Sequence, residues 1–202
     1  MPRRVRAAAV IMMISASVIA SATSPKIYRN PEFGITLPVP AGALLCTTPQ
    51  EEHDHGPYML LATADSEGCH DIEHHRSVDV FASYNVSDET KRLSDFLKGQ
   101  CAGVAGGPCR PAPGGLRIPG LPSASARVNR SDGWIEIIVV TQAGTPDPDF
   151  DPSVRLINYN LSLRTTPDHF EDDLRLFRIV LRTIRLRTRN GDAGARITTH
   201  YS

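Results

Sequence analysis

Cysteines at 46, 69, 101 and 109 follow an N-terminus built for export, and these two features together bound what the chain can fold into. Arg3, Arg4 and Arg6 form a basic start, Ala7 to Ala20 is apolar, and Ala20-Ser21-Ala22 offers the small residues that signal peptidase reads. The apolar stretch is short and rich in Ala and Ser, whereas a bilayer span needs about 20 strongly apolar residues. The expectation is a cleaved signal over 1–22 and a mature chain, beginning near Thr23, that is periplasmic or secreted. No cysteine stands at the cleavage point to carry a lipid anchor, and no second long apolar run follows, so no stable membrane insertion is expected. In an oxidising compartment an even cysteine count reads as two disulfides, with three pairings open. Cys46 with Cys69 and Cys101 with Cys109 is the favoured set, because each pair brackets one local excursion. Gly103, Gly106, Gly107 and Pro108 give the second loop the freedom to reach bridging geometry. A four-cysteine zinc site is the weaker reading, since close C-x-x-C spacing is absent.

Cleavage would also change the charge. The whole chain balances 22 basic against 22 acidic residues; without the three signal arginines it carries 19 against 22, a net charge near −3. A general nucleic-acid binder needs a basic surplus to neutralise phosphates, so that class is excluded. Arg far outnumbers Lys, and Ala and Pro are abundant, as in proteins of GC-rich bacteria. About 180 mature residues suffice for one domain with a real core, expected over 23–189, with 190–202 as a disordered tail.

Periodicity sets out the elements. Phe33 to Leu37, Tyr58 to Thr63 and Ser77 to Tyr84 read as strands, the last with Val78, Val80 and Ala82 opposite Asp79, Phe81 and Ser83. Ser87 can cap a helix whose apolar stripe is Leu93, Phe96 and Leu97 and which Gly99 ends. Residues 102–123 place Gly or Pro at nearly every second position and read as a long loop, functional or mobile. Ser125–Asn129, a turn at Arg130-Ser131-Asp132-Gly133, and Trp134–Thr141 form a hairpin signal. Arg155–Arg164 alternates as a further strand with Ile157, Tyr159, Leu161 and Leu163 inward. Thr166 caps a helix with Pro167 at its first position, an acidic first turn, and a stripe of Phe170, Leu174, Phe177 and Leu181. Arg175, Arg178 and Arg182 lie on its outer side, and Ile184 and Leu186 suggest a last strand. The predicted fold class is therefore α+β, an antiparallel sheet of six to seven strands packed with two helices.

Tyr28-Arg29-Asn30, then Phe33-Gly34-Ile35 and Pro40-Ala41-Gly42, resemble the opening of PsbP-like domains. Tyr159-Asn160-Leu161, the Phe170–Leu181 helix and Thr183-Ile184-Arg185-Leu186 are similar to the closing strand, helix and strand of that fold. The resemblance implies an α/β/α sandwich used for binding and assembly, in relatives that include extrinsic photosystem subunits and accessory proteins of bacterial secretion. It implies no shared catalytic residues. The disulfides and a His-rich acidic stretch depart from the family pattern.

That stretch, 51–75, holds five of the seven histidines: His53, His55, His70, His74 and His75, interleaved with Glu51, Glu52, Asp54, Asp71 and Glu73. Imidazole and carboxylate ligands brought together there would suit zinc, copper or nickel; a solvated loop braced by Cys46–Cys69 is the plainer reading. Asp147, Asp149 and Asp151 alternate like calcium ligands but lack the glycine turn and bidentate Glu of an EF-hand, and read as an acidic turn. The Arg175–Arg189 set can meet an acidic partner or lipid headgroups, or pair with nearby acids on a solvated face. Trp134 reads as hairpin packing. No Gly-x-Ser-x-Gly, His-Glu-x-x-His or phosphate loop is present. The leading expectation is a non-enzymatic exported protein that binds another macromolecule, with no cofactor; an inhibitor or immunity protein is one form. A periplasmic metal-binding protein using 51–75 is the alternative, and a hydrolase with a dispersed site the third.

Overall fold

The computed structural model describes residues 26–47, 54–61, 69, 75–86, 92–104, 107–145 and 156–187. Residues 1–22, expected as a signal, Ser87, the 147–151 acidic run and residues 190–202, expected as a tail, lie outside these residues, as do His53, His70 and His74. Ten strands are described: β1 (Ile27–Asn30), β2 (Ile35–Pro38), β3 (Leu44–Thr47), β4 (Pro57–Leu60), β5 (Ser77–Tyr84), β6 (Arg110–Pro111), β7 (Ser123–Asn129), β8 (Ile135–Gly144), β9 (Leu156–Thr165) and β10 (Arg185–Leu186). Two helices join them, α1 (Leu93–Gly103) and α2 (Phe170–Thr183). The fold class is α+β, as predicted.

Seven strands form one antiparallel sheet in the order β3-β4-β5-β9-β8-β7-β6, with β1, β2 and β10 in a second, three-stranded sheet. The two longest strands, β8 and β9, pair along their whole length and sit near the middle. Strand alternation gives the large sheet two different faces. Val78, Val80, Ala82, Ile137, Val139, Ile157, Tyr159, Leu161 and Leu163 point to one, where they meet Leu174, Phe177, Val180 and Leu181 of α2 and Tyr28, Ile35 and Leu37 of the small sheet. Each such fully buried Leu, Ile or Phe contributes about 1.5–3 kcal/mol of transfer free energy. Tyr159 joins the two sheets, its hydroxyl donating to the Phe33 carbonyl at 2.7 Å. On the other face Leu93, Phe96, Leu97 and Cys101 of α1 pack over Ala126, Val128, Ile138 and Val140.

Three expectations change. The large sheet has the predicted strand number, but the segments at 33–37 and 184–187 belong to the small sheet, and β1, β3 and β6 show no apolar–polar alternation. Helix α1 does not end at Gly99; it continues to Gly103, because Cys101 on the same stripe is buried and bridged, which outweighs the roughly 1 kcal/mol cost of an interior glycine. Thr166 holds the extended N-cap conformation, but its side chain makes no capping hydrogen bond, and Pro167–His169 is a 3-10 turn ahead of α2. The cysteines are paired as favoured, Cys46 with Cys69 and Cys101 with Cys109.

Candidate functional site

The glycine- and proline-rich segment between β6 and β7 is built into the molecule by two residues. Leu116 and Ile118 are 5% and 2% exposed and join the main core, so Arg117 between them turns outward. The backbone is closed by hydrogen bonds from Leu121 N to the Ile118 carbonyl and from Ile118 N to Ser123 Oγ, each 3.2 Å. The segment lies against the C-terminal half of α2. Between them is a groove of about 590 Å³, lined by Gly115, Arg117, Ile118, Pro119, Gly120, Leu121 and Arg182. A depression of about 80 Å³ shares Gly115, Arg117 and Arg182 with it and adds Arg178 and Leu181.

The groove gathers Arg117 and Arg182, 65 positions apart, and the depression beside it adds Arg178. Phe170, Leu174, Phe177 and Leu181 fix the helix face that goes inward, which puts Arg178 and Arg182 one turn apart along the flank of α2. The neighbouring arginines are engaged elsewhere. Arg175 pairs with Asp172 at 3.1 Å, both largely exposed, and Arg185 Nη1 donates to the carbonyls of Arg182, Thr183 and Ile184 at the helix end. Arg127 lies over the Phe170 ring, 4.8 Å from its centre. Arg117, Arg178 and Arg182 make no ion pair among the described residues. Three like charges cost free energy when held together without a counter-charge; an anionic ligand removes that cost. The arginine set was visible in the sequence for α2, but Arg117 was not singled out. Its only signal is the apolar–Arg–apolar pattern Leu116-Arg117-Ile118 inside a loop.

A second polar group lies on the α1 side of the large sheet. Ser77 and Asp79 of β5, Ser162 and Arg164 of β9 and Glu136 of β8 are cross-strand neighbours there. Asp79 Oδ2 is 3.4 Å from both serine hydroxyls, while its buried Oδ1 accepts no hydrogen bond. Burial pushes the Asp79 carboxyl up to about 6, with Arg164 pulling it down and Glu136 adding to the rise. Glu136 is raised as well, mainly by burial, against the opposing charges of Arg164 and Arg130.

Of the histidines, His55 and His75 are described, and they sit at opposite ends of β5. The His55 backbone pairs with Ala82, its Nδ1 lies 2.8 Å from the Ala82 carbonyl, and its ring stacks between Phe33 and Phe81 at 5.6 and 5.1 Å. His75 stands just before Ser77, roughly 20 Å away along the strand at 3.3 Å per residue. Among the described residues no group of three or more His, Cys, Asp or Glu side chains is placed to hold a metal ion. Asp54 serves structure instead: Tyr28 Oη donates to its Oδ2 at 2.7 Å, Gly56 N to its Oδ1 at 3.0 Å, and Asn30 Nδ2 to its carbonyl. Trp134 follows the hairpin turn, its N–H donating to Asp132 Oδ1 at 3.1 Å.

Fold and site together define an α+β domain with an arginine-lined groove beside its last helix. No family model and no curated protein matches the chain. Among solved structures it is similar to the solution structure of cyanobacterial PsbP (CyanoP) from Synechocystis sp. PCC 6803, with a TM-score of 0.46 and 12% identity. That likeness covers 85% of this chain and 98% of that one, and it is one of fold alone. Among the described residues no helix is long and apolar enough to cross a membrane.

Proposed function

We propose that this chain is an exported, non-enzymatic protein that acts by binding another protein through the groove between the 112–122 segment and α2. One observation carries the reading: Arg117 and Arg182 line both the groove and the depression beside it, Arg178 lines the depression, and none of the three has an acidic partner among the described residues. The mature chain, at a net charge near −3, would otherwise repel an acidic partner, so a local basic groove specifies where contact occurs. The leader-like N-terminus and the two disulfides support a role outside the cytoplasm. An inhibitor or immunity protein for a secreted toxin is one form this function takes.

The test is capture from periplasmic and secreted fractions on the immobilised mature protein, in parallel with an Arg117→Gln/Arg178→Gln/Arg182→Gln variant of unchanged melting temperature. The expected result is a specific protein held by the wild type and lost from the variant, then confirmed with the purified partner by calorimetry. Capture that is identical on both surfaces, or absent from both, would overturn the proposal.

A further inference from the structure

We propose that the depression beside the groove is a site for a phosphate monoester, held by its phosphoryl group. This goes beyond the protein-binding reading and does not depend on it. The depression brings Arg117, Arg178 and Arg182 to one place. Arg178 and Arg182 are four residues apart on α2 and share a face of it, while Arg117 comes from the loop. No Asp or Glu lines the depression or the groove, and none of the three guanidinium groups is paired among the described residues. The volume of about 80 Å³ is roughly that of two or three waters, which suits a single tetrahedral oxyanion.

The backbone adds donors. Gly114, Gly115 and Leu116 also line the depression, and their N–H groups, with that of Arg117, donate to no acceptor among the described residues. Gly115 follows a bend at 113–114 and has φ of +69°, a left-handed conformation of the kind that lets consecutive amides converge on an anion. Leu116 is only 5% exposed, and a buried amide without an acceptor is costly. A phosphoryl group supplies acceptors to guanidinium groups and amides alike. Charge selects the monoester: its second pKa is about 6, so it is mostly a dianion at neutral pH, whereas a diester carries one charge. The adjoining groove shares Gly115, Arg117 and Arg182 and is lined further by Ile118, Pro119 and Leu121, which gives the alcohol portion of the ester an apolar surface.

The experiment is calorimetry of the mature protein with phenyl phosphate, and with methyl phenyl phosphate as the diester control. Saturable binding of the monoester is expected at low salt, at least about tenfold tighter than binding of the diester. Arg117→Gln and Arg178→Gln should each weaken it about tenfold with no change in melting temperature. Arg175→Gln, paired with Asp172 outside the depression, should leave it unchanged. Cosedimentation with phosphatidylcholine vesicles carrying phosphatidic acid or phosphatidylglycerol distinguishes the sources. Arginine-dependent preference for phosphatidic acid places the monoester on a lipid surface; binding of the soluble ester alone makes it a free phosphate ester. Equal affinity for monoester and diester, binding insensitive to the arginines, or no binding of either monoester overturns the inference, whether or not the partner capture succeeds.

Discussion

Arg76 Nη1 donates to both carboxylate oxygens of Asp173, at 2.8 and 3.0 Å, and so ties the approach to β5 to the first turn of α2 across 97 positions. Thr165 Oγ1 adds a 2.5 Å hydrogen bond to Oδ2, and Asp173 is only 5% exposed. Acidic first-turn residues ordinarily act on the helix dipole from solvent. Here one of them anchors the helix to the sheet.

Asp173→Ala should lower unfolding free energy by about 3 kcal/mol, because it leaves the largely buried Arg76 charge and the fully buried Thr165 hydroxyl without their partner. Arg76→Ala should cost a similar amount, and the double variant less than the sum. Urea denaturation of the three variants checks this; strict additivity would refute the coupling.

Asp79 makes stability fall as pH rises. Its folded-state value, about 6, lies above its ordinary value of 3.8. Below pH 4 the group is protonated in both states; between 4 and 6 only the unfolded state loses the proton, which favours unfolding. Asp79→Asn should therefore stabilise the fold by about 2 kcal/mol at pH 7.5 and by little at pH 4. Thermal melts across pH 4–8 test it, and a gain independent of pH would contradict the buried carboxylate.

Gly56 has φ of +134° and sits against the neighbouring strand, where an added Cβ would lie 2.1 Å from the Val80 carbonyl oxygen. Because that oxygen belongs to backbone, the chain itself must move. Gly56→Ala should cost more than about 3 kcal/mol, read by denaturant midpoint, while Gly99→Ala, open within 4 Å and inside α1, should stabilise by about 0.5–1 kcal/mol.

Removing Cys101–Cys109 as a double Ser variant should cost about 2–3 kcal/mol, and removing Cys46–Cys69, which closes a longer loop, about 3–4 kcal/mol. Mass mapping of non-reduced peptides should return these two pairs. Any other pairing, or four free thiols, would contradict the structure.

Much of the fold was legible because it rests on local periodicity. The bounds of β5 were read directly, Ser77 to Tyr84, and its two faces were assigned correctly, since alternation on a half-buried strand leaves one register that buries Val78, Val80 and Ala82. The α2 stripe was legible for the same reason at a 3.6-residue repeat. Strands β1, β3 and β6 were not, because Ile27–Asn30, Leu44–Thr47 and Arg110–Pro111 show no apolar–polar alternation and their pairing comes from non-local hydrogen bonds.

By itself the sequence determined the α+β class, the favoured cysteine pairing and the outward arginines of α2, since each follows from spacing along the chain. Only the tertiary structure decided which arginines share a site. Arg117 and Arg182 are 65 positions apart, and they meet because Leu116 and Ile118 are buried in the same core as Phe177 and Leu181. Burial of apolar neighbours, which no local repeat records, placed the charges that define the groove.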